Sequence, residues 1–210
     1  MARLLALVAL FSVVTAAAIV VVAGEMTPGY DPAARTISRL AVPGSPAAGA
    51  VDLAIVLVAL ACFALATATA PAGRLGAAAI SVAGLGFMGA ALIHLDPSEA
   101  GSTLAHRAAS AVAVLGLTVA SLRLGLAYGR ISLVLGAVEL GTLAVGLALL
   151  ATPFGAWGAW ERWLLAVTLV WMVWLTLAIV SRHAKASATT ASISSAAATP
   201  PVSSVTSANR

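Results

Sequence analysis

The side chains best suited to chemistry stand near the ends of long apolar segments. They combine two carboxylates, two histidines and two arginines: Asp52, His94, His106, Arg107, Glu161 and Arg162. If the segments pack into one bundle, we expect these six residues to converge on a single polar pocket. Such a pocket would bind a lipid headgroup, a small polar ligand or a membrane protein partner, and we expect no resident cofactor.

Catalysis by the same residues is the alternative. His94 and His106, together with one carboxylate, could hold Zn²⁺ and leave a fourth position open for water. Glu161 or Asp52 would then act as the base of a metal-dependent hydrolase or transferase that acts on a lipid or an exported substrate. However, the two histidines lack the HExxH spacing of zinc enzymes. Both carboxylates would also lie in the first turn of a helix, where the dipole alone favours them. The sequence therefore favours binding over catalysis.

Glu139 is a separate candidate, because an ionisable side chain inside an apolar segment costs about 2.5–3.5 kcal/mol to insert into a bilayer. Arg123 is its nearest partner along the membrane normal, since the two differ by about 6 Å in height. We expect a buried charge pair of Arg123 and Glu139, or a protonated Glu139 that is hydrogen-bonded to Thr118 or Ser121. A proton relay, and with it a transporter, is a third functional class, but it would need further buried carboxylates.

The elements that position these residues follow from composition. The chain has 210 residues, of which 61% are hydrophobic and only 9% charged, against about 45–50% and about 25% in soluble domains. This excludes a soluble enzyme and a disordered regulator. Nucleic acid is not an expected partner either, because the basic residues are scattered singly. The single cysteine, Cys62, excludes an internal disulfide.

Six apolar runs are each long enough for a membrane-spanning helix, which needs about 20 residues. They cover approximately residues 4–24, 51–70, 75–93, 103–127, 131–151 and 160–180. None of them alternates apolar and polar residues as barrel strands do. The sequence therefore predicts an all-α polytopic membrane protein with a six-helix transmembrane bundle.

Charge in the short connections predicts the orientation. With the N-terminus inside, the cytoplasmic segments hold more arginine and lysine than the outer ones. The cytoplasmic residues are Arg3, Arg74, Arg123, Arg130, Arg182 and Lys185, and the outer ones are Arg35, Arg39, Arg107 and Arg162. We therefore expect a multi-pass protein of the plasma membrane with both termini cytoplasmic and the six-residue pocket outside.

Composition also divides the chain. Residues 1–182 form the predicted transmembrane domain, in which the outer loop 25–50 is punctuated by prolines. Within that loop Ile37, Leu40 and Ala41 fall at helical spacing and predict a short amphipathic helix. Residues 183–210 are rich in Ser, Ala and Thr, have no apolar periodicity, and are expected to form a disordered cytoplasmic tail.

The sequence of the outer loop resembles that of a known protein family. Tyr30-Asp31-Pro32, the stretch Thr36–Ala41 and Pro43-Gly44 resemble the first outer loop of domain-of-unknown-function family 998, a family of six-span bacterial and archaeal membrane proteins. Asp52, the step from His94 to Pro97, and the pairs His106-Arg107 and Glu161-Arg162 agree with it. The likeness covers approximately residues 2–182. It implies the six-span architecture, and no agreed activity comes with it.

Overall fold

The computed structural model describes residues 1–197, and their side chains up to residue 184. It contains six long helices: α1 (Ala2–Met26), α2 (Ala48–Thr69), α3 (Arg74–Leu92), α4 (Ala100–Tyr128), α5 (Arg130–Leu149) and α6 (Trp157–Ala197). Each is long and apolar enough to cross a membrane. The part of the chain described has no strand. The predicted all-α class and the six spans are thus confirmed, and the protein is a multi-pass membrane protein.

Short connections set the arrangement of the helices. Consecutive helices pack against each other, and α6 closes the bundle by packing on α1 as well as on α5. Antiparallel packing of neighbours follows from turns as short as the one at Gly129. That residue has φ of +115°, which an L side chain rarely adopts, so glycine allows α5 to start directly after α4.

Two ends of the bundle are distinguished below. The loop end carries residues 27–47 between α1 and α2, residues 93–99 between α3 and α4, and the start of α6. The turn end carries the tight connections after Thr69 and Tyr128 and the N-terminus.

The apolar core lies mainly between the middle and the turn end. Ala6, Ala9 and Val13 of α1 belong to the same buried cluster as Trp171 and Leu175 of α6. Helices in a bilayer gain no hydrophobic driving force for association, so small residues that allow close approach matter most. Many of the buried residues are accordingly alanine or glycine.

The long connection between α1 and α2 contains one regular element, a 3₁₀ helix at Ile37–Ala41. It lies where the sequence predicts a short amphipathic helix. Leu40 and Ala41 are buried and cluster with Val51 of α2 and Ala23 of α1. This apolar contact holds the loop on the bundle.

Helix α6 runs further than its apolar segment. It continues to Ala197, whereas the sequence predicts disorder from residue 183. Alanine, which has the highest helix propensity, recurs in this extension, and the extension continues an existing helix, so that no new helix nucleus has to form. The remainder of the predicted tail, 198–210, lies outside the described residues.

Candidate functional site

The six residues predicted to share one pocket lie in three places at the loop end. His106, Arg107 and Glu161 line a polar cavity. Arg162 lines a second, mostly apolar cavity. Asp52 and His94 line neither and form a hydrogen-bonded pair of their own, with 2.9 Å between the His94 Nε2 and Asp52 Oδ2 atoms. The predicted single pocket is therefore divided.

The polar cavity has a volume of about 740 Å³ and lies between the loop, α4 and α6. Its charged and hydroxyl-bearing walls include Arg35, Ser38, Arg39, His106, Arg107 and Glu161. The volume falls within the range of about 300–1,000 Å³ that is typical of small-molecule sites.

His106 forms a fixed part of this cavity. It is 3% exposed, its Nδ1 lies 2.7 Å from the backbone oxygen of Ile93, and its Nε2 lies 3.0 Å from the hydroxyl of Ser38. Because a carbonyl only accepts hydrogen bonds, the Nδ1 atom carries a proton. The imidazole thereby joins the end of α3, α4 and the loop.

Glu161 joins the loop to α6. Its Oε2 accepts a hydrogen bond from the backbone N–H of Ile37, at the start of the 3₁₀ helix. The carboxylate thus satisfies a backbone donor at a helix start, where a negative charge is favourable. This contact places Glu161 in the wall of the polar cavity.

Three arginines give the polar cavity an excess of positive charge. Arg35, Arg39 and Arg107 line it, and none of them forms an ion pair with a carboxylate in the part of the chain whose side chains are described. All three are exposed. Guanidinium groups present paired donors that match phosphate and carboxylate oxygens.

Arg162 fastens the loop to α6 from the other side. Its Nη1 donates to the backbone oxygens of Pro32 (2.7 Å) and Arg35 (3.1 Å), and its Nη2 donates to the Tyr30 hydroxyl (2.6 Å). The loop backbone also lies so close to Gly158 that a Cβ there would fall 2.2 Å from the Arg35 oxygen. Glycine at this position therefore permits the docked loop.

Tyr30 stands between the two cavities and lines both. Its hydroxyl lies 3.0 Å from the backbone oxygens of Arg35 and Thr36. Partial burial raises the pKa of its phenol, and the neighbouring Arg162 guanidinium offsets part of this rise. The phenol is therefore neutral at physiological pH and can donate to the loop.

The apolar cavity has a volume of about 650 Å³ and is bounded by α1, α2, α6 and the loop. Its walls include Ala17, Val20, Ile55, Val58, Phe87 and Leu169. Arg162 and Tyr30 stand at its loop end. A largely apolar slot with a polar group at one end can accommodate an amphiphilic molecule.

The Asp52–His94 pair is partly exposed, with 27% and 36% of the respective side chains accessible. The Asp52 Oδ1 atom is buried and has no hydrogen-bond partner in the structure. Nearby, Asp96 accepts hydrogen bonds from the backbone and hydroxyl of Ser98, which lower the pKa of its carboxyl group. These residues shape the connection from α3 to α4.

The two predicted zinc ligands have different hydrogen-bond partners. His94 contacts Asp52, whereas both ring nitrogens of His106 are engaged by Ile93 and Ser38. Among the described residues, no three His, Cys, Asp or Glu side chains come together in a group that could hold a metal ion.

Glu139 is buried at the contact of α4, α5 and α6, and the predicted ion pair with Arg123 is not formed. Its Oε2 lies 3.4 Å from the Ser121 hydroxyl, which is the hydrogen-bonded alternative that the sequence left open. Arg123 is exposed, because its long side chain can reach toward the polar surface instead of the interior.

Sequence reasoning missed the contribution of the loop to both cavities. Arg35, Ser38 and Arg39 line the polar cavity, and Tyr30 separates the two. The signal was present, since Tyr30, Ser38 and Arg39 belong to the loop motif. In addition, Arg35 and Arg39 are basic residues on the side of the membrane where the sequence predicts fewer of them.

Comparison with known proteins identifies a family. A family model described as "Protein of unknown function (DUF998)" matches residues 7–178. No curated protein and no solved structure matches the chain. The matched span includes most of α1, all of α2 to α5, the first part of α6 and every cavity residue discussed above.

Proposed function

Because this chain belongs to the DUF998 family of proteins of unknown function, its role has to be inferred from the site, and we propose that it binds an anionic polar ligand in the polar cavity. The loop end then faces the outside of the plasma membrane and both termini are cytoplasmic. The ligand carries a phosphate or a carboxylate, on a lipid headgroup or on a free small molecule.

The observation that carries this proposal is the set of unpaired arginines. Arg35, Arg39 and Arg107 line one cavity, in which Glu161 is the single carboxylate and already accepts the Ile37 N–H. Hydrogen bonds between a guanidinium and an anion are about twice as strong as neutral ones. An anionic ligand would provide the partner that the described protein residues do not.

The remaining residues support binding more than catalysis. Both ring nitrogens of His106 are already engaged, by the Ile93 backbone oxygen and by the Ser38 hydroxyl, so neither nitrogen is free to contact a substrate without giving up one of these partners. His106 instead holds the loop in a fixed position against α4. Glu161 does the same for the loop and α6.

The orientation rests on the distribution of basic residues. Arg3, Arg74 and Arg130 lie at the turn end, near the tight connections, together with Arg123 and Arg182. Short loops rich in arginine and lysine stay cytoplasmic during insertion. An outward-facing polar cavity follows from this placement.

Calorimetric titration of the protein in lipid nanodiscs tests the proposal. The probes are glycerol 3-phosphate, for a free ligand, and dihexanoyl phosphatidic acid, for a lipid headgroup. The Arg39→Gln/Arg107→Gln double variant should weaken binding of the preferred probe at least about tenfold, since each charged hydrogen bond contributes about 1.5–3 kcal/mol.

Arg130→Gln is the matched control, because Arg130 is also exposed but lies at the turn end. It should bind as the wild type does. Preference for one probe identifies the source of the anion, and either preference supports the proposal. Absence of binding of both probes, or equal loss in the control, would overturn it.

A further inference from the structure

Helices α1 and α6 are packed together along only part of their length. Toward the turn end, Ala6 and Val13 of α1 share a buried cluster with Met172 and Leu175 of α6. Toward the loop end, residues from Ala16 onward in α1 face the apolar cavity, with α6 on its other side. The two helices therefore enclose a slot that begins near the middle of the membrane.

The loop keeps this slot open. The Tyr30 ring lies beside Gly24 of α1, where an added Cβ would approach it to 3.6 Å, and the Tyr30 hydroxyl accepts from Arg162 of α6. One side chain of the loop thus stands between the two helices at the loop end. A side chain in this position prevents α1 and α6 from closing on each other.

The rim of the slot faces hydrocarbon. Val21 is 64% exposed, and Ala166 is also exposed; both line the cavity and lie within spanning helices. Inside, the walls are apolar and include Ile55, Val58 and Phe87. A lipid chain can therefore enter sideways from the bilayer without crossing a polar surface.

Two opposite charges stand at the polar end of the slot. Arg162 and Glu25 both line the cavity and form no ion pair with each other in the described structure. The Arg162 guanidinium donates to backbone oxygens and to the Tyr30 hydroxyl, all of them neutral groups. No described carboxylate lies within ion-pair distance of this guanidinium, although it interacts electrostatically with the adjacent Glu161.

We propose that the apolar cavity is a lipid site that takes one acyl chain of a zwitterionic phospholipid with a primary ammonium, of the phosphatidylethanolamine class. The phosphate lies toward Arg162 and the ammonium toward Glu25, while the second acyl chain stays in the bilayer. The separated charges of the cavity are complementary to a zwitterion. This site is distinct from the polar cavity, and the two share Tyr30 and Thr27 as a wall.

Photo-crosslinking in nanodiscs tests the site. The probe is phosphatidylethanolamine with a diazirine in one acyl chain, and adducts are mapped by peptide mass spectrometry. We expect adducts to concentrate on residues 16–24, 54–58 and 162–169. Unlabelled phosphatidylethanolamine should compete better than phosphatidylglycerol, and Glu25→Gln should remove that preference.

Filling the slot should abolish the concentration of adducts. Ala17→Phe places a ring inside the cavity, and Ala166→Phe does so from the exposed rim, so the second variant serves if the first fails to fold. Each should lower labelling of these segments about tenfold. Ala144→Phe, an exposed alanine of α5 outside every cavity described, should label as the wild type does.

Two results would overturn the proposal. Adducts spread evenly over all lipid-facing helices, and unchanged by the filling variants, would mean ordinary boundary lipid. Equal competition by phosphatidylglycerol would refute the zwitterionic assignment. The Arg39→Gln/Arg107→Gln variant should label normally, so failure of the anion site and failure of the lipid site are distinguishable.

Discussion

The contact of α3 with α4 and the contact of α1 with α6 use similar residues but reach different outcomes. Along α3 and α4 the backbones touch: a Cβ on Gly86 would fall 2.5 Å from the Ala113 nitrogen, and one on Gly116 would fall 2.9 Å from the Ala79 oxygen. Between α1 and α6 the contact is close only toward the turn end. Small residues permit close packing, but the loop decides whether it occurs.

The difference has a physical cause in the connections. Helices α3 and α4 are joined by residues 93–99, whose backbone oxygens accept hydrogen bonds from Ser102, Thr103 and His106 of α4. The connection from α1 carries Tyr30, which is inserted beside Gly24 and tied to Arg162. The Tyr30 side chain thus occupies space between α1 and α6 at the loop end, where the apolar cavity lies.

The largest effect on stability is expected when a larger side chain is introduced into the close contact between α3 and α4. Gly86→Val should lower the free energy of unfolding by about 3 kcal/mol, because the clash is with backbone atoms that cannot rotate away. Titration with sodium dodecyl sulfate in mixed micelles measures it. Gly101→Val is the control, since a Cβ there meets nothing within 4 Å. Equal losses in both variants would contradict the close α3–α4 contact.

The next largest effect on stability is expected from truncating a buried leucine of α6, in comparison with a leucine that borders the apolar cavity. Leu175→Ala, at a fully buried position near the turn end, should cost about 2 kcal/mol by leaving a void. Leu165→Ala should cost less than about 1 kcal/mol, because its side chain already borders the apolar cavity. The same detergent titration compares them. Similar costs would mean that the slot is packed as tightly as the core.

A local effect is expected for the tie between the loop and α6. Arg162→Ala removes the hydrogen bonds to Pro32, Arg35 and Tyr30. Amide hydrogen exchange of residues 30–37 should accelerate about tenfold, as expected for a loss of about 1.4 kcal/mol in local stability. Arg107→Ala serves as the control, because the Arg107 side chain lines the polar cavity but forms no hydrogen bond with the loop in the part of the chain described. Unchanged exchange after removal of Arg162 would show that the loop is held by other contacts.

The smallest change is expected at the pair outside both cavities. Asp52→Asn and His94→Gln should each alter the free energy of unfolding by less than about 1 kcal/mol, since partly exposed pairs contribute little. Neither should affect lipid labelling or anion binding. A loss of lipid labelling or of anion binding would show that Asp52 and His94 belong to a binding site, as the sequence predicts.

The sequence determines the helices more fully than their contacts. Length and hydropathy are sufficient for six spans, and the spacing of Ile37, Leu40 and Ala41 is sufficient to locate the loop helix. Height along the membrane also places His94 and His106 at one end. Height does not indicate in which direction each side chain points. Because these helices are apolar on every side, their sequences do not show which side of each helix faces the interior of the bundle.

Glu139 and the cavities illustrate that limit. Arg123 has the right height to reach Glu139, yet it is exposed and Ser121 takes its place. Likewise, Asp52 and Glu161 share a height but lie in different surroundings. Pairing across the bundle depends on rotation about each helix axis, which only the packed structure determines.

The tie between Tyr30 and Arg162 also bears on the order of biosynthesis. The two residues are 132 positions apart in the chain, and synthesis delivers the N-terminal end first. The loop therefore cannot form this contact until the last helix has been inserted. Both cavities acquire their final wall at that step, so a nascent chain that stops after α5 has spans but no completed binding site.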